Sequence, residues 1–239
     1  MDPRFVYDSF VQLIAGVPLT LELTVFAFSL GLLLAVLISL MQISSFWILR
    51  APASVYVFAI RGTPLLVQIF LIYYGLGQFR PTLQSFGLWQ FFREAYWCGI
   101  LALALNSAAY GSEVLRGGLM SVSKREIEAG RAGGMSGLLL YRRIILPLAL
   151  RQALPAYGNE LILMVKATSL VSIITMMEVT GIAARLISET YRPVEVFIAA
   201  GTIYLIINFL LTRAISILDW WLTPHLRSIP TTGKMEHAQ

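Results

Sequence analysis

The sequence predicts an all-α polytopic membrane protein with about five transmembrane helices. Two observations carry this. Of 239 residues, 57% are apolar and only 13% are charged, with a mean hydropathy of +0.74; a soluble domain has about 25% charged residues. The apolar residues also gather into runs of helical length, roughly the 20 residues that cross a bilayer core of about 30 Å. This excludes an ordinary soluble enzyme and a disordered or fibrous chain. Membrane-barrel strands, about 10 alternating residues each, are disfavoured because the runs are twice as long and do not alternate.

Five stretches qualify. The first runs from about Leu19 to Met41, and the second, from about Ala53 to Gly77, holds Arg61 near its start, where the following Gly62-Thr63-Pro64 should bend it. A third covers about Ala95 to Leu115 with Glu113 near its end. The fourth, about Pro155 to Met177, is the least apolar and carries Glu160 and Lys166; the fifth, about Val196 to Leu218, carries Arg213. Residues 1–223 read as one domain and 224–239 as a loose tail. Asp2, Arg4 and Asp8 near the start are unlike the basic end of a cleavable signal. The single cysteine, Cys98, excludes an intrachain disulfide, and His225 and His237 both lie in the tail, so no metal site is legible.

A net charge of +5 in a soluble chain would hint at nucleic acid, but here its distribution decides. Between residues 116 and 151 stand Arg116, Lys124, Arg125, Arg131, Arg142, Arg143 and Arg151, opposed only by Glu126 and Glu128. Basic loops stay in the cytoplasm. Five spans then place the N-terminus outside and the C-terminus inside. That loop is too long for a simple helix connection. Glu126 to Ala132 favours a short helix ended by Gly133 and Gly134, and Leu138 to Leu146 reads as a second short helix stopped by Pro147. A basic interfacial helix resting on lipid headgroups is the plainer alternative.

Glu128-Ala129-Gly130, three residues, Gly134, nine residues, then Ile144-x-Leu146-Pro147 resembles the EAA loop of ABC-transporter permeases. Gly130 replaces the second alanine of that pattern. Arg61 to Gln68, Leu105 to Tyr110, Arg116-Gly117-Gly118, Asn159-Glu160 and Lys166 to Leu170 are similar to the polar amino-acid uptake permeases of the histidine, arginine and opine type. Leu71 to Phe79 and Glu178 to Ala184 point within that group to the octopine/nopaline and arginine permeases.

The resemblance implies a permease subunit of an ATP-driven importer for a polar, cationic or guanidino amino acid or opine. Glu128, Ala129 and Gly134 would hold the coupling helix that meets a cytoplasmic ATPase dimer, with Arg131 either a contact to that ATPase or one of the basic residues that enforce topology. The chain has no G-x-x-x-x-G-K-[ST] loop, so ATP and Mg would bind the partner ATPase and no cofactor this chain. A second, related permease and a periplasmic solute-binding protein complete the implied assembly, embedded in membrane lipid. A stand-alone secondary transporter or channel is the alternative, though no inverted repeat is visible. No nucleophile–base pair supports an intramembrane enzyme.

Ionisable residues within spans are costly and therefore candidates. Glu160 can attract a cationic solute or neutralise an arginine of another span. Lys166, six residues on, lies about 120° around the helix and cannot pair with it; a solute carboxylate or Glu113 is its expected partner. Thr168 and Ser169, with Ser172 and Thr175, form a polar strip that lines a path or bonds neighbouring helices. Glu178 can meet an arriving cationic solute or a binding protein. Glu113 and Arg116, at i, i+3, are expected to pair, and Arg61 to reach back to the interface. Tyr73, Tyr74, Trp89, Tyr96 and Trp97 read as an aromatic belt.

Overall fold

A computed structural model describes residues 2–222, and the tail, with His225 and His237, lies outside them. Among the described residues every element is helical. An amphipathic helix, α1 (Pro3–Ile14), precedes the first span, α2 (Val17–Ile43). The second span is broken into α3 (Trp47–Arg61) and α4 (Leu65–Gln78), inclined at 107° to each other. Short helices α5 (Arg80–Ser85) and α6 (Trp89–Phe92) lead to the third span, α7 (Ala95–Met120). Helix α8 (Lys124–Ala132) forms the basic loop. The fourth span is continuous over Gly137–Ile174: α9 (Gly137–Leu140), a π-helical turn, α10 (Leu146–Ala167) and a 3₁₀ segment (Thr168–Ile174). A short helix, α11 (Val179–Thr190), precedes the last span, α12 (Pro193–Leu222).

Helices α2 and α7 form the centre. Ala27, Gly31, Ala35 and Ser39 recur every fourth residue on α2 and are buried against Ala104, Ser107, Ala108 and Gly111 of α7. Small side chains let two helix backbones approach where lipid supplies no hydrophobic drive. A Cβ on Gly31 would stand 2.9 Å from Ser107, so the approach is already close. A second cluster joins α1, α11 and α12 through Leu13, Val179, Ala183, Val196 and Ile203.

The fourth span differs from expectation. Leu138 to Leu146 is not a separate surface helix ended by Pro147; it begins the span, 18 residues before Pro155. The π turn explains this: the Leu146 N–H donates to the Tyr141 carbonyl, widening the coil just where Pro147 cannot donate. Of the aromatics expected to form a belt, Tyr73 is edge-on to Tyr74 and Tyr96 edge-on to Trp97, and Arg80 lies over Trp89.

Candidate functional site

The break in span two builds the site. Pro64 cannot continue α3, and the turn leaves carbonyls of the last α3 residues without intrahelical donors. Buried Gln68, one turn into α4, folds its amide back and donates to the carbonyls of Ile60 at 2.7 Å and Thr63 at 3.0 Å. Asn106 of α7 donates to the Gln68 side-chain oxygen at 3.0 Å, locking the break to the central span. The first turn of α4 has no side-chain cap: the Val67 and Gln68 N–H groups donate to the Pro64 carbonyl, while those of Leu65 and Leu66 precede the first intrahelical bond.

Between the break, α7 and α10 lies a cavity of about 310 Å³ lined by Thr63, Pro64, Asn106, Ser107, Tyr110 and Glu160, among others. That is the lower end of the volume range of small-molecule pockets. Glu160 makes no hydrogen bond or ion pair among the described residues, but the charge of Arg61 reaches it. Arg61 belongs to a second polar group, centred on Glu113. Glu113 accepts from Arg116 at 3.1 and 2.8 Å and from Gln42 at 2.7 Å, and Arg61 stands 3.6 Å away. The predicted Glu113–Arg116 pair is therefore present. Arg61 is more than an interfacial anchor: its guanidinium lies 5.3 Å from the centroid of the Tyr110 ring, in cation–π contact.

The other predicted residues separate. Lys166 does not meet Glu113, which is fully occupied; it is exposed and lines a different cavity of about 420 Å³ with Ser169, Tyr204 and Asn208. The Thr168 and Ser169 hydroxyls donate to carbonyls of their own helix, Val165 at 2.7 Å and Lys166 at 2.6 Å, and Thr168 is buried. Glu178 has no exposed surface. It caps α11 by accepting from the Gly181 N–H at 2.9 Å and also accepts from the hydroxyls of Tyr204 and Thr20. Burial pushes its carboxyl above the ordinary glutamate range, against the lowering effect of those hydrogen bonds. Such a group ties α2, α11 and α12 together and offers no free oxygen to a solute.

Thr63, Asn106 and Tyr110 were quoted above only as parts of a resemblance, and Gln68 likewise. The signal that could have found them is the proline break itself: an interrupted span frees polar backbone, and polar side chains must answer it.

In the basic loop, Ser123 and Glu126 form a reciprocal capping box at the start of α8. Glu128, Ala129 and Arg131 are exposed on it, as is Gly134 just past its end. Gly134 has φ +79°, a left-handed position that favours glycine. Gly130 is buried: a Cβ there would stand 2.6 Å from Leu140 Cδ1 and 3.2 Å from Ile144 Cγ1. The departure from alanine thus seats α8 on the foot of the fourth span, and the two halves of the sequence pattern touch each other.

A bundle of broken and continuous spans around a polar cavity, with an exposed capped helix on its basic loop, is the build of a solute permease. Residues 8–223 match the family described as binding-protein-dependent transport system inner membrane component, and the chain belongs to it. It is 58% identical over 226 residues to the octopine transport system permease protein OccM of Rhizobium meliloti, covering 95% of this chain and 92% of that one. To the nopaline transport system permease protein NocM of Agrobacterium fabrum it is 54% identical over 228 residues, covering 95% of both. A crystal structure of an amino acid ABC transporter with histidines superposes with a TM-score of 0.80 at 36% identity, covering 92% of this chain and 98% of that one. The chain is thus an ABC-importer permease subunit, not an enzyme.

Proposed function

We propose that this permease passes a guanidino or cationic amino acid, or its opine conjugate, through the cavity at the break of span two. The carrying observation is that cavity's two-ended chemistry: Glu160 without an ion-pair partner, and the uncapped start of α4 beside Thr63 and Pro64. A carboxylate suits the guanidinium or ammonium end. A helix N-terminus with open N–H groups suits a carboxylate end. A zwitterionic solute with an extra cation fits both poles. OccM and NocM, named for octopine and nopaline transport, favour an opine. Lys166 and Ser169, on the neighbouring face, extend the polar path beyond the cavity, while Thr168 supports it from within the bundle.

Energy comes from outside the chain. Helix α8, with Glu128, Ala129, Arg131 and Gly134, seats on one subunit of a cytoplasmic ATPase dimer that holds ATP and Mg, and transmits its closure to α7 and the foot of the fourth span. A second permease, related but not identical, completes the path, and a periplasmic binding protein delivers solute. The N-terminus faces the periplasm and the C-terminus the cytoplasm of the inner membrane.

The test is uptake by proteoliposomes holding the complete complex with its binding protein. ATP-dependent accumulation of radiolabelled arginine or octopine, and none of leucine, is expected. Accumulation without ATP, or equal uptake of leucine, refutes the reading.

A further inference from the structure

We infer that Arg61 is a tethered competitor for the solute's cation at Glu160, and so sets how readily solute leaves the cavity. The inference rests on the reading above that Glu160 receives a cationic group. Four charges make up the region: Glu113 and Glu160 against Arg61 and Arg116. Their pairing is lopsided. Arg116 grips Glu113 through two hydrogen bonds, and Gln42 adds a third. Arg61 adds only a contact of 3.6 Å, beyond hydrogen-bond length, with 44% of its side chain exposed. Glu113 is satisfied without it. Arg61 is therefore the surplus cation of the group, and among the described residues Glu160 is the carboxylate lacking a partner.

Position lets one serve the other. Arg61 stacks on Tyr110, whose ring also lines the cavity that holds Glu160. It is the last residue of α3, directly before the break, so any change in the 107° angle between α3 and α4 moves it. A cationic solute on Glu160 repels Arg61 toward Glu113. As the cation departs, Arg61 swings from Glu113 toward Glu160 and takes its place, which shortens the time Glu160 stands as a bare, costly charge inside the membrane.

The experiment is equilibrium binding of radiolabelled arginine to the intact complex of permeases and ATPase, without binding protein, together with uptake rates. Arg61→Gln should bind arginine about ten-fold more tightly, the order of coupling that one site exerts on another, and its maximal uptake should fall. Arg61→Lys, which keeps the charge, should behave as wild type. Glu113→Gln, which frees Arg61 toward Glu160, should bind more weakly; this opposite sign carries the test if the Arg61→Gln complex cannot be isolated. Unchanged or weaker binding in Arg61→Gln, or tighter binding in Glu113→Gln, overturns the inference alone. A wild type that binds arginine no better than Glu160→Gln overturns the inference and the cavity reading together.

Discussion

Adjacent glycines at the C-terminal end of α7 should respond to alanine in opposite ways. Gly118 is buried at the crossing of α7 and α10, and a Cβ there would stand 2.6 Å from the Ala149 carbonyl oxygen and 3.0 Å from the Ala153 Cβ. Ordinary contact begins near 3.4 Å, so the backbones must separate by 3.4 − 2.6 = 0.8 Å. Neither neighbour is a flexible side-chain tip, and overpacking of this kind costs about 1–3 kcal/mol. Gly117 is exposed and a Cβ there meets nothing within 4 Å. Both substitutions gain the same helix propensity, about 1 kcal/mol over glycine, so the difference between them isolates the steric cost. For a chain of this size it corresponds to a gap of about 2–12 °C in unfolding midpoint. Cys98, the only cysteine and 1% exposed, supplies the assay: a thiol-reactive dye reports unfolding in a complex whose other subunits lack cysteine. Gly117→Ala should melt at or above wild type and Gly118→Ala below it. Equal midpoints, or the reverse order, would refute the packing of α7 on α10.

Three further outcomes are expected. Glu160→Gln should weaken arginine binding about 10–100-fold, the worth of about 1.5–3 kcal/mol for a charged hydrogen bond, with assembly of the complex unchanged; unaltered affinity in a binding titration would make Glu160 a structural charge. Glu128→Lys, on the exposed face of α8, should abolish uptake while insertion and span packing persist; solute-driven ATP hydrolysis at the wild-type rate in vesicles would exclude a coupling role. Glu178 carries a pH effect of definite sign. Its folded pKa is raised, so the stability it contributes is fully present below the ordinary glutamate value of about 4.3 and is lost as pH rises through the folded value. Glu178→Gln should flatten this dependence in thermal melts between pH 4 and 8, whereas Glu178→Ala, which removes the α11 cap and leaves Tyr204 without its acceptor, should lower the midpoint throughout.

The membrane class, the spans and the basic loop were legible in the sequence because lipid selects residues one at a time: each must be apolar wherever it meets hydrocarbon. The pairing of Glu113 with Arg116 was equally local, three residues apart on one helix. So was the α8 helix, written in Glu126 to Ala132 and the two glycines that follow. Legibility failed where a residue's role depends on distant chain. Glu178 looks like an exposed acid at a span end, and only Thr20, 158 residues away, and Tyr204 make it a buried cap. Pro147 looks like a stop, and only the π turn before it carries the helix through. Lys166 and Glu160 share a helix yet face different cavities. The sequence by itself determined that this chain crosses a membrane and presents a charged elbow on one side. The tertiary structure alone decided which polar groups meet at the break of span two, because convergence of Gln68, Asn106 and Glu160 follows from helix angles and close backbone approach, which no single residue encodes.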